Sequence, residues 1–365
     1  MMRCENWEWT KKRFEAWWNQ SSLGRPMMRI IAKRETPPEI PEEEETLDRS
    51  PEDIWLNVAE NARKTRNNIR THRYMAEAFP EMDVNMGPGS LAIYLGSEPV
   101  FTPDTVWYKP VIDDFNTFGP LQYDPDNLWW KKHLALVRQA VSLAGGEFMV
   151  NIPDLLENVD ILSAMRDPQK FCYDLIDRPE IIESYINQID ELYFIYYDAM
   201  YDAVKTPDGG CSYTAFCIWG PGKTAKVQCD FSALISPAQF RRFVQPSLMK
   251  QCRKLNYSMY HLDGPDAIRH LDALMEIKEL NALQWTPGAG QPDGGSEQWL
   301  PIYDKVKKSG KSLWINIYDG DIRDWTRKAE VLYRRYGSDG LYLLFPVMSE
   351  REAEGLLNKA EKEWR

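Results

Sequence analysis

From Phe148 to the carboxyl terminus the chain alternates between short apolar runs and longer amphipathic stretches, and few architectures accept that rhythm. The runs are Phe148–Pro153, Cys211–Trp219, Tyr257–Leu262, Ala282–Trp285, Leu313–Tyr318 and Leu341–Pro346. Each is followed by a helical pattern, as expected of strand–helix units building a parallel sheet. Helix starts are legible. Ser236-Pro237 places an N-cap before a proline at the first helical position, Gly264-Pro265-Asp266 opens another helix, and Ser349 with Glu352 forms a capping box. Six such units need two more strands to close an eight-fold barrel, and Pro26–Ala32 and Asp83–Gly87 are the candidates. The expected fold is therefore an α/β (β/α)8 TIM barrel, one domain over residues 1–365. A helical extension within residues 1–25 would cap it through Trp7, Phe14, Trp17 and Trp18, and residues 35–50, rich in proline and glutamate, read as an exposed loop. An open doubly wound sheet would need a glycine-rich phosphate turn. Gly87-Pro-Gly89 is too short, and Gly220-Pro-Gly222-Lys223-Thr224 lacks the first glycine of a P-loop.

Charge narrows the partners. With a net charge of −11 over 365 residues, the chain lacks the basic balance of a nucleic-acid binder. No apolar run is long enough to span a bilayer and no signal peptide opens the chain, so no membrane partner and a cytoplasmic location are expected. The six cysteines form no CxxC pair, and reduced, packed thiols are the simple reading.

In a barrel of this kind chemistry belongs to the carboxyl ends of the strands. His261 and Asp263 end one strand, Asp230 follows another, and these three are the candidate catalytic groups. Asn151, Asp154, Gln284, Trp285, Asn316 and Asp319 also fall at strand ends and are candidates for holding a small-molecule substrate. Competing roles exist for several: Asp230 and Asp154 could cap a helix or turn, and Trp285 could pack in the core. His72, His133 and His270 read as surface or packing histidines.

The stretch Ser232-Ala-Leu-Ile-Ser236-Pro237-Ala-Gln-Phe240-Arg-Arg-Phe243-Val-Gln-Pro246, followed by Tyr260-His261-Leu-Asp263-Gly264, resembles the uroporphyrinogen decarboxylase superfamily. Leu91–Gly96, Asp104–Trp107 and Arg178-Pro179-Glu180 extend the likeness, which runs from about residue 75 to the end. The resemblance implies a (β/α)8 barrel. True uroporphyrinogen decarboxylases carry an arginine-rich opening segment, a catalytic aspartate and a late histidine. Here the first is missing, Gly87 or a neighbour occupies the second position, and Leu341–Met348 lacks the third.

The likeness is nearer to the corrinoid-dependent methyltransferases of the superfamily, which hold zinc with a histidine and cysteines. Their "H.C" pair corresponds to His261 and Asp263, and Pro346-Val347-Met348 stands where the later cysteine would be. The resemblance thus implies a methyltransferase-type enzyme acting on a small methylated compound or a corrinoid protein. It also implies zinc at His261 and Asp263 and a homodimer; because one histidine and one aspartate do not complete a tetrahedron, Cys229 or Cys217, at or after the preceding strand, could add a thiolate. The alternatives are a decarboxylase of a small acid or porphyrin-like substrate and a catalytically silent binding protein.

Overall fold

The structure, a computed structural model, describes residues 2–38 and 49–365. Its strands are β1 (Met27–Lys33), β2 (His72–Ala76), β3 (Glu81–Met82), β4 (Glu98–Phe101), β5 (Val106–Lys109), β6 (Met149–Val150) and β7 (Cys211–Tyr213). They continue with β8 (Ile218–Gly220), β9 (Thr224–Gln228), β10 (Tyr257–Asp263), β11 (Ala282–Thr286), β12 (Ser312–Asn316), β13 (Leu341–Leu344) and β14 (Met348–Ser349). The main sheet runs β9-β10-β11-β12-β13-β1-β14, all neighbours parallel, with β2 antiparallel on β1. β3 and β6 form a second parallel pair, and Ile152 bridges Tyr213 in the same sense. A parallel sheet with intervening helices gives a mixed α/β, TIM-barrel-like fold.

Most expected strands appear within a residue or two, and two need correction. The candidate Asp83–Gly87 is not a strand: β3 stops at Met82, and Gly87 turns with φ +85 where an added Cβ would lie 2.7 Å from Val106 Cβ. The run Cys211–Trp219 is not one strand either but an antiparallel hairpin of β7 and β8. The strand that joins the sheet beside β10 is Thr224–Gln228, which the glycine-rich turn Gly220–Lys223 precedes. Trp314 Nε1 donates to the Phe216 carbonyl at 2.8 Å and the Tyr342 hydroxyl to the Cys217 carbonyl at 3.1 Å. Side chains from β12 and β13 therefore hold the tip of the hairpin.

The helix Trp7–Trp18 is capped by Asn6 and buries Phe14, Trp17 and Trp18 completely or nearly so, as its apolar spacing predicts. Trp17 Nε1 donates to Leu313 O and Trp18 Nε1 to Trp219 O, so both indoles meet their polar need while packing. Glu77 ties this region together: it pairs with Arg13 at 2.8 Å and Arg25 at 2.9 Å and accepts Met28 N at 2.7 Å. The helix Pro179–Val204 buries a stripe of Ile182, Tyr185, Ile186, Ile189, Tyr193, Tyr196 and Met200 against the fold. The expected N-cap at Ser236 and capping box at Ser349 both form, and Ser236 makes a capping box of its own with Gln239. Of the expected loop, residues 39–48 lie outside the described residues, and 35–38 are exposed. Among the described residues no helix is long and apolar enough to cross a membrane.

Candidate functional site

Side chains two apart on a strand share a face. Lys226 and Gln228 on β9 continue to Asp230, His261 and Asp263 share a face of β10, and Gln284 and Thr286 share one of β11. Register then sets them side by side: His261 pairs with both Gln228 and Gln284, and Asp263 with Thr286. The result is a polar patch across three adjacent parallel strands.

At its centre one ligating atom each from Asp230, His261 and Asp263 lies within 4.8 Å of the others. The three predicted catalytic residues are thus brought together. His261 Nδ1 is hydrogen-bonded to Gln284 Oε1, whose amide nitrogen donates to Thr286 Oγ1 at 2.8 Å. An amide oxygen can only accept, so Nδ1 carries the proton and Nε2 keeps its lone pair. Burial, then the Lys226 ammonium, lowers the His261 pKa below the usual imidazole value, which favours the neutral ligand form. Solvent reaches Asp230 and Asp263, yet protein atoms crowd both, and burial raises their carboxyl pKa values. One nitrogen and two carboxylates suit a divalent cation, with further coordination positions left open.

Beneath this group lies a charged layer of which the sequence reading singles out only Asp154. Lys226 is 1% exposed and donates to Asp154 Oδ2 at 2.7 Å and to Gln228 Oε1. Gln228 Nε2 in turn donates to Asp230 Oδ2 at 2.7 Å. Asp160 accepts Asp230 N at 2.9 Å and Phe231 N at 2.8 Å, fixing the turn that presents Asp230. Glu157 accepts Gln228 N at 2.6 Å, and burial pushes its pKa up to about 8. A period-two pattern in Thr224-Ala-Lys-Val-Gln228 was the available signal: Ala225 and Val227 alternate with Thr224, Lys226 and Gln228.

A second group adjoins through the hairpin tip, where the Phe216 ring lies 5.1 Å from the His261 ring. Asn151 bridges two carboxylates there, donating to Glu81 at 3.0 Å and Asp83 at 2.7 Å. Burial raises the pKa of both acids, and Arg29 opposes it at Glu81. Ala215 and Cys217 at the tip adopt positive φ (68° and 51°), a strained backbone held by the hydrogen bonds from Trp314 and Tyr342.

The other predicted site residues divide. Gln284 orients His261, Asn151 holds the acid pair, and Asn316 ends β12 half-buried. Asp154 neutralises Lys226 and accepts the Tyr213 hydroxyl at 3.3 Å, an internal role. Trp285 is not a wall of the mouth: it alternates with Gln284, is 1% exposed and packs 5.0 Å from Trp299. Asp319 fixes a loop by accepting Asp293 N at 2.7 Å. Neither cysteine joins the ligand group. Cys229 alternates away between Gln228 and Asp230, and burial holds both it and Cys217 as thiols. His133 and His270 are buried packing residues, and His72 opens β2 on the surface side.

No protein-family model matches the chain, and no curated protein matches it in sequence. Its structure is similar to that of a methyltransferase from Methanosarcina mazei, with a TM-score of 0.60 over 97% of this chain and 98% of that one. The likeness is one of fold. At 13% identity it does not extend to chemistry.

Proposed function

We propose that the chain is a single closed (β/α)8 domain of the uroporphyrinogen decarboxylase-like superfamily with methyltransferase-type activity on a small methylated compound. The observation that carries this reading is the convergence of Asp230, His261 and Asp263 at the carboxyl ends of β9 and β10, with His261 Nε2 left free by Gln284. In this reading the three side chains hold zinc. A zinc ion there would act as a Lewis acid and lower the pKa of a bound acceptor.

The chain's own groups do the rest. Gln284 fixes the imidazole tautomer, Gln228 steers Asp230, and the Lys226–Asp154 pair keeps the layer beneath electrically balanced. Phe216 covers one side of His261 and limits water. Glu81 and Asp83, whose carboxyls titrate above their usual range, adjoin the group through the hairpin tip and would serve as bases for the acceptor's proton. A corrinoid protein as methyl carrier and a homodimeric assembly extend the proposal. A decarboxylase would need a cation for the substrate carboxylate: Lys226 is already committed to Asp154, which leaves Arg29 beside Glu81 as the group to supply it.

The test is metal analysis of protein purified without chelator, followed by zinc titration. The expected result is one zinc per chain, with loss of binding in Asp230→Asn and His261→Ala. Metal-free protein that also fails to take up zinc would leave a binding protein of the same fold.

A further inference from the structure

A separate groove of about 1070 Å³ lies where the amino-terminal segment meets β2 and the helix Val58–Thr71. Five arginines line it (Arg3, Arg34, Arg66, Arg70 and Arg73), against two carboxylates, Glu5 and Glu147. In a chain of net charge −11 that is a local reversal of sign. Three of the five are held by carboxylates: Arg3 and Arg66 share Glu147 at 3.8 and 3.5 Å, and Arg73 meets Glu5 at 2.7 Å, Glu354 at 2.9 Å and Glu350 at 3.4 Å. Arg34 and Arg70 have no ion-pair partner among the described residues. Like charges gathered in a concave wall raise the local positive potential and attract anions.

Placement adds a direction. Arg34 follows the carboxyl end of β1, and β2 runs beside it with His72 opposite Lys33. Tyr74, two residues further along β2 and paired with Ile31 of β1, also lines the groove. Arg34 thus sets one end of the groove at the carboxyl end of β1, and the volume admits a small molecule.

We propose that this groove binds the anionic end of a small phosphorylated molecule. Guanidinium groups match phosphate oxygens through paired N–H donors, which favours a multiply charged phosphate over a single carboxylate. That the same molecule is the substrate rests on the methyltransferase reading. The anion site itself does not.

The test is calorimetric titration of the full chain with pyrophosphate, and in parallel with citrate. Saturable pyrophosphate binding is expected, weakened about tenfold or more in Arg34→Ala/Arg70→Ala and by added salt. Arg70→Ala alone, at an exposed position, serves if the double variant does not fold. No saturable binding by the wild type, or equal binding by the variants, would overturn the site. Citrate binding without pyrophosphate binding would overturn the phosphate assignment. Zinc uptake measured on the same variants should be unchanged, so failure of the anion site and failure of the metal reading remain distinguishable.

Discussion

Lys226 Nζ lies 2.7 Å from Asp154 Oδ2, with the lysine 1% and the aspartate 8% exposed. A sealed pair of this kind joins β9 to the chain after β6 and supports the face that carries Asp230. Its two charges are tolerable only together, since a lone buried ion is costly.

Lys226→Met should therefore destabilise the protein by about 3–5 kcal/mol, because Asp154 is left buried without its partner. Adding Asp154→Asn should recover a large part of the loss. Urea unfolding of both variants checks this, and a loss under about 1 kcal/mol in the single variant would contradict the pairing.

Gln284→Leu removes the acceptor that fixes His261 Nδ1–H. On the proposed zinc reading, affinity for zinc should fall about 10- to 100-fold while the fold stays intact, the usual result of losing a residue that orients a ligand. Competition titration against a chromophoric chelator measures it. Equal affinity would mean that Gln284 does not set the tautomer.

His133 is fully buried, with Nδ1 meeting the Tyr94 hydroxyl at 2.6 Å and Nε2 meeting Val84 O at 2.9 Å. Burial lowers its pKa from 6.5 to about 4. Its lowered folded-state pKa means that the unfolded chain takes up the proton first as pH falls. Stability present above pH 6.5 should thus decline toward pH 4, by on the order of 3 kcal/mol from this residue. Denaturation midpoints of wild type and His133→Gln across that range should converge as the pH drops. Parallel curves would refute the assignment.

Glu157 behaves in the opposite sense. Its pKa rises from 4.5 to about 8, so its favourable contribution is complete below pH 4.5 and is lost as pH climbs toward 8. Glu157→Gln should lose stability less steeply than wild type over that interval. The infrared difference between wild type and variant at pH 6 should contain a protonated carboxylic acid band, the rest of that signal coming from Asp160 and the other raised acids. No such difference would show Glu157 ionised.

The parts of the site legible beforehand were those whose local pattern is strong. His261 and Asp263 end an apolar strand and stand two apart, so their shared face follows from the pleat alone. Asp230 was placed after a strand, but the strand was misassigned, because Cys211–Trp219 is the more apolar run and Thr224–Gln228 carries a lysine and a glutamine. Lys226 was missed for that reason. Glu157 and Asp160 give no signal in sequence, since each accepts backbone N–H groups of a segment some seventy residues away.

The sequence by itself determined the alternation of strands and helices, the helix caps and the buried indoles of Trp17 and Trp18, because propensity, capping and apolar periodicity act within a few residues. Only the tertiary structure decided which strand neighbours β10, that Trp285 turns inward to Trp299, and that Asp230 comes within reach of His261. Those outcomes depend on strand register and on the burial of charge, and both are set by partners distant in the chain.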